Sequence, residues 1–74
     1  MTLQQLKYVI EVARSRSISR AAQNLFISQP SLSNALKELE KEIGITIFSR
    51  NNKGIMLTTE GSEFLGYARQ VVEQ

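Results

Sequence analysis

Between residues 28 and 37 the chain reads Ser28-Gln29-Pro30-Ser31-Leu32-Ser33-Asn34-Ala35-Leu36-Lys37. Gln29 and Asn34 each carry an amide, with a donor and an acceptor side by side. That arrangement matches the edge that adenine presents in the major groove of a duplex. Serine hydroxyls can donate to phosphates or bases, and Lys37 places a cation one turn further along. Arg50 and Lys53 add two cations just beyond this segment.

Other chemistries have little to work with. The 74 residues contain no histidine and no cysteine, so the commonest general base, the commonest metal ligand and any thiolate site are missing. The only carboxylate cluster, Glu38, Glu40 and Glu42, fans out around one helix and cannot converge on a substrate. There is no glycine-rich phosphate loop. The sequence therefore reads as a non-enzyme with no cofactor and no metal in this domain. It also contains no apolar run near the roughly 20 residues of a membrane span, and its first residues lack a signal-peptide layout. The absence of cysteine fits a cytoplasmic setting.

The elements that must position these residues follow from periodicity. Leu3, Leu6, Val9, Ile10 and Ala13 recur at helical spacing. Thr2 and Gln5 form a capping box at the start of that helix, and Lys7 and Glu11 are spaced to pair on its wet face. After the polar run Arg14-Ser15-Arg16-Ser17, a short second helix spans about Ile18 to Leu25 with Ser17 as its cap and Ala21, Ala22 and Leu25 inside. Phe26-Ile27-Ser28 leaves room only for a tight connection. A third helix runs over 29–43, capped by Ser28, with Pro30 in its first turn and Gly44 as its stop. Leu32, Ala35, Leu36, Leu39 and Ile43 form its buried stripe. The β-branched stretch Ile45-Thr46-Ile47-Phe48, the turn Asn51-Asn52-Lys53-Gly54 and Ile55-Met56-Leu57 read as a small hairpin over 45–57. Thr58 or Thr59 then caps a fourth helix.

Two short helices joined by three residues, followed by a hairpin, predict a mainly α winged helix-turn-helix. It consists of a three-helix core and a β-hairpin wing over residues 1–58, with a linker helix beginning at 59–74. Its third helix matches the width of a major groove, roughly 12 Å. The face opposite the Leu32–Leu39 stripe holds Pro30, Ser33, Asn34, Lys37 and Lys41, with Gln29 and Ser31 beside it. Charge is graded along the chain. Residues 1–37 carry Lys7, Arg14, Arg16, Arg20 and Lys37 against Glu11 alone, whereas residues 54–74 carry Arg69 against Glu60, Glu63 and Glu73. Each polar residue alone is ordinary solvated surface. Their conjunction, with an acid-free N-terminal half of the third helix, points to duplex DNA. The alternative is a winged helix used only for protein–protein assembly, which calls for an exposed apolar patch in place of a basic face.

The same residues resemble the signature of LysR-type bacterial transcriptional regulators. The resemblance covers the whole chain without gaps. Its most specific pieces are Ala21-Ala22, Ser28-Gln29-Pro30, Leu32-Ser33, Leu36, Leu39-Glu40, Gly44, Phe48-x-Arg50 and Leu57-Thr58-x-x-Gly61. The resemblance implies a regulator that binds double-stranded promoter DNA as a homodimer or homotetramer. It implies base reading by Gln29, Pro30, Ser33 and Asn34, and backbone contacts by Ser17, Ser28, Ser31, Lys37 and Thr58. It places Arg50 and Lys53 on phosphate or in the minor groove. Many members carry arginine where this chain has Asn34, so the bases read there differ. Phe26 stands in the turn where the general helix-turn-helix pattern favours glycine. Such regulators continue into an effector-binding domain that senses a small metabolite, so the chain is expected to be a fragment of a longer protein. In the fourth helix, Gly61, Leu65, Ala68 and Val72 lie at a 4-3-4 spacing beside Phe64 and Val71. That stripe is broader than one short helix needs against its own domain. Either it simply packs on the first helix, or part of it pairs with a second protomer. The resemblance favours the second reading, with dimerisation through Phe64, Leu65, Ala68, Val71 and Val72. Gly61 and Gly66 weaken this helix by up to about 1 kcal/mol each where they lie in its interior, which a partner would offset.

Overall fold

In the computed structural model, which describes Met1–Glu73, each helix begins at a side-chain cap encoded by its first residues. Helix α1 spans Leu3–Ser15. The Gln5 N–H donates to Thr2 Oγ1 at 3.1 Å, and the Thr2 N–H donates to Gln5 Oε1 at 2.9 Å. Helix α2 spans Ile18–Leu25, with Ser17 Oγ accepting from the Arg20 N–H at 3.1 Å. Helix α3 spans Gln29–Ile43, with Ser28 Oγ accepting from the Ser31 N–H at 3.2 Å. Helix α4 spans Thr59–Val72, capped by Thr58. The expected linker segment ends on Gln74, which lies outside the described residues.

The three stops are left-handed. Arg16 (φ 56°), Phe26 (φ 59°) and Gly44 (φ 75°) close α1, α2 and α3. Only the last is the glycine that this conformation favours. The core forms where the helices cross. Val9, Val12, Leu32, Leu39 and Ile47 are fully buried, with Ala21 and Ala68 at close approaches between helices. No helix among the described residues is long and apolar enough to cross a membrane.

The hairpin is shorter than its β-branched residues suggest. Strand β1 spans Phe48–Asn51 and β2 spans Gly54–Leu57, antiparallel, with Phe48 opposite Leu57 and Arg50 opposite Ile55. Ile45, Thr46 and Ile47 are therefore not wing strand. Ile47 is fully buried, and its backbone is held from both sides. Its N–H donates to Glu40 Oε2 at 2.7 Å, and its carbonyl accepts from the Thr58 N–H at 3.0 Å. A residue anchored this way belongs to the core, and pairing starts only where the chain leaves it.

A second correction concerns Glu11. It does not pair with Lys7 on a wet face but is buried, at 6% exposure. It accepts from Asn24 Nδ2 at 2.8 Å and Ser15 Oγ at 2.7 Å, and it forms an ion pair with Arg14. The Asn24 hydrogen bond is the largest influence holding its carboxyl below the ordinary range. Ser15 adds to it, burial opposes it, and Arg14 contributes a little more. The Asn24 contact ties α1 to α2 and so fixes the helix on which α3 rests.

A third correction concerns α4. Leu65 and Ala68 are buried in the domain's own core, together with Gly61, so they offer no surface for a second protomer. Phe64 and Val72 are half-buried, and Val71 is exposed beside Tyr67.

Candidate nucleic-acid interface

The connection Phe26–Ser28 turns the chain so that α3 starts at the surface. Gln29, Pro30, Ser31, Asn34 and Lys37 are exposed and Ser33 is half-buried, while Leu32, Leu36 and Leu39 anchor the opposite face. The first turn of α3 contains no acid. The helix dipole adds partial positive charge at this exposed end. Ser28 Oγ donates to Ser31 Oγ at 2.8 Å while it caps the helix, so the two hydroxyls are held together at that end. Glu38 and Glu42 are exposed and Glu40 is half-buried, all one or more turns further along α3.

The wing stands beside this end. Arg50 is opposite Ile55, two residues from the Phe48–Leu57 pair, so all four lie on one face of the hairpin. Phe48, Ile55 and Leu57 rest against the core. Arg50 therefore lies on the inward-facing side of the wing, not its outer side. It borders an open cleft of about 450 Å³ between the wing and the helix-turn-helix, together with Arg16, Ser17, Ser19, Gln29 and Asn51. Lys53 sits in the tip, where its N–H donates to Asn51 Oδ1 at 2.8 Å, and is exposed.

Of the residues singled out from the sequence, Ser17, Gln29 and Arg50 meet at this cleft, while Ser31, Asn34 and Lys37 are exposed along α3. Thr58 does not join them as a free hydroxyl. Its Oγ1 accepts from the Gly61 N–H at 2.8 Å and donates to the Thr46 carbonyl, so it fastens the wing root and not phosphate. Arg16 and Ser19 were missed as site residues. Arg16 stood out only as one member of a basic run, and its place at the cleft depends on how far the hairpin folds back. Among the described residues the two ion pairs are Met1 ammonium–Glu42 and Arg14–Glu11, which leaves Arg16, Lys37, Arg50 and Lys53 without carboxylate partners. The described residues hold no group of three or more potential metal ligands.

Over residues 3–62 the sequence matches the family described as bacterial regulatory helix-turn-helix protein, lysR family. It is 43% identical over 75 residues to the HTH-type transcriptional regulator BsdA of Bacillus subtilis (strain 168), covering 100% of this chain and 26% of BsdA. It is 39% identical over 72 residues to the uncharacterized HTH-type transcriptional regulator YcgK of the same organism, covering 97% of this chain and 22% of YcgK. The chain spans about a quarter of the length of these relatives. Its fold is similar to a BenM DBD/catB site 1 DNA complex, with a TM-score of 0.94 and 36% identity over 99% of this chain and 82% of that one. It is equally similar to a CbnR DBD–DNA complex, with a TM-score of 0.94 and 38% identity over 99% of this chain and 84% of that one.

Proposed function

The chain belongs to the bacterial regulatory helix-turn-helix proteins of the lysR family, and from that premise we propose that it is the part of a cytoplasmic transcriptional regulator that recognises promoter DNA. The observation that carries this reading is the exposed, acid-free start of α3 beside a wing whose cations have no carboxylate partners. Helix α3 enters the major groove by its N-terminal end, where Gln29, Pro30, Ser33 and Asn34 meet base edges. Ser17, Ser28, Ser31 and Lys37 hold the backbone on one side, and Arg50 and Lys53 hold it at the wing. Nothing in this role requires a cofactor in the domain. The solved complexes of the BenM and CbnR domains with DNA support the reading by likeness.

The whole regulator acts as a homodimer or homotetramer. Phe64, Val71 and Val72, with exposed Tyr67, are the part of α4 available to a second copy, since Leu65 and Ala68 are taken up inside. A small-molecule effector acts through a further domain of the full regulator, in keeping with the longer relatives.

Binding-site selection on randomised duplexes tests base reading. Replacing Asn34 with alanine removes a donor–acceptor pair and changes the preferred base at one position by about 1–3 kcal/mol. An unchanged preference would remove Asn34 from the reading set. Failure of the chain to bind any duplex at low salt would instead favour a protein-assembly module.

A further inference from the structure

The open cleft between the wing and the helix-turn-helix is bordered by two arginines, Arg16 and Arg50, two serines, Ser17 and Ser19, and two amide residues, Gln29 and Asn51. No carboxylate borders it. Neither arginine has an ion-pair partner among the described residues, and Glu11, five residues before Arg16, is committed to Asn24, Ser15 and Arg14. Two like charges in one cleft repel each other, and an anion between them reverses the sign of that interaction. Arg16 also occupies the left-handed stop of α1, φ 56°, where glycine would sit without strain. An exposed arginine thus borders the cleft from a backbone conformation that side chains disfavour.

We infer that this cleft seats a single backbone phosphate of the duplex, shared between Arg16 and Arg50. The inference rests on the DNA-binding reading above and adds Arg16 to it as a positioning residue. A guanidinium fork matches two phosphate oxygens, and two forks from opposite walls match the phosphodiester's two unbridged oxygens. Gln29 borders the same cleft from the first turn of α3. A phosphate held there fixes the register of the base-reading residues next to it, because phosphate contacts set orientation and base contacts set sequence. It also joins the wing to the helix-turn-helix through the DNA, since one wall of the cleft is β1 and β2 and the other is the start of α2.

The test is the salt dependence of binding, by fluorescence anisotropy with a labelled duplex of mixed sequence between about 50 and 200 mM salt, since log K falls with log salt by roughly 0.9 per neutralised phosphate. Arg16→Gly and Arg50→Ala are each expected to weaken binding by about tenfold on every sequence, whereas Arg16→Lys keeps most of the affinity. Because the phosphate is shared, the double variant Arg16→Gly/Arg50→Ala loses about one unit of slope, not about two. Binding of Arg16→Gly as tight as that of the unaltered chain overturns the inference, and so does a loss of two units of slope in the double variant. Glycine fits the left-handed stop, so Arg16→Gly is expected to fold. Arg16→Asn, also tolerant of that conformation, supplies a second uncharged variant with the same expected loss of affinity. If the unaltered chain fails to bind duplex at 50 mM salt, the DNA-binding reading falls as well. If it binds and the Arg16 variants match it, only the shared phosphate falls.

Discussion

Adding one methyl group to Gly61 should damage the fold more than adding it to Gly66, although both glycines lie in α4. A Cβ at Gly61 would stand 2.0 Å from the Ile47 carbonyl oxygen and 2.8 Å from its carbon, whereas a Cβ at Gly66 meets nothing within 4 Å. Ordinary contact begins near 3.4 Å, so the Ile47 carbonyl would have to retreat by about 1.4 Å. It cannot do so freely, because the Thr58 N–H holds that carbonyl at 3.0 Å and Glu40 Oε2 holds the Ile47 N–H at 2.7 Å. Overpacking of this kind costs about 1–3 kcal/mol, and a broken hydrogen bond adds about 1 kcal/mol. The gain in helix propensity is at most about 1 kcal/mol and is smaller in the first turn, where Gly61 lies. The net loss is about 1–4 kcal/mol, against a total stability on the order of 4–11 kcal/mol for a chain of this length. Thermal melts followed by circular dichroism should therefore drop by on the order of 5–30 °C for Gly61→Ala. Gly66→Ala, in an open stretch of helix interior, should rise by a few degrees through propensity alone. A Gly61→Ala melt at or above the unaltered chain's would refute the close approach of Ile47 to α4.

Two further outcomes follow from the caps and the buried carboxylate. Glu11→Gln keeps the shape of the side chain but loses its charge-assisted bonds, at a cost of about 1–2 kcal/mol near neutral pH. Because its folded pKa is lowered, mainly by Asn24, Glu11 stabilises the fold above its unfolded pKa of roughly 4.3. That contribution disappears as pH falls through the folded value. The melting temperature of the unaltered chain should therefore fall more steeply in acid than that of Glu11→Gln, and parallel curves would count against the Asn24–Glu11 tie. Phe26→Gly should raise the melting temperature, since Phe26 is 94% exposed and left-handed at φ 59°. Relief of that backbone should yield about 0.5–1 kcal/mol, and a lower melt would show that the ring makes contacts of its own.

Local chemistry made most of the elements legible. Thr2 with Gln5, Ser17, Ser28 and Thr58 each sit at the helix start that their type predicts, and Gly44 sits at the stop. A cap is a contact across three residues, so sequence carries it directly. The misses all involve partners far along the chain. Lys7 and Glu11 have the spacing of a surface pair, but Glu11 is claimed by Asn24, thirteen residues later. Ile45–Ile47 has strand composition, but Ile47 is held by Glu40 and Thr58 before pairing can begin. Leu65 and Ala68 fit a dimer stripe equally well by spacing, and only the crossing of α1 and α4 shows that the domain uses them itself. The residues of α3 proposed to face DNA were grouped by helical phase alone, and the structure leaves Gln29, Ser31, Asn34 and Lys37 exposed.

The distribution of charge along α3 has a structural explanation at both ends. Its first turn contains no acid, which leaves Gln29, Ser31 and Asn34 exposed near the positive end of the helix dipole. Its last turns contain three, and two of them have identifiable work. Glu40 Oε2 accepts from the N–H groups of Ile47 and Phe48, at 2.7 and 3.2 Å, so a side chain of α3 sets the point where the wing begins. Glu42 accepts from the Met1 ammonium at 2.6 Å and ties the start of α1 to the end of α3. Moving either acid to the first turn would put a carboxylate where phosphate is expected and would also release the wing root or the N-terminus. The same helix therefore keeps its negative charge where it organises the protein and leaves the other end free for an anionic partner. The wing inherits its position from that division, because its first residues hang from Glu40 while Arg50 reaches back toward the acid-free end.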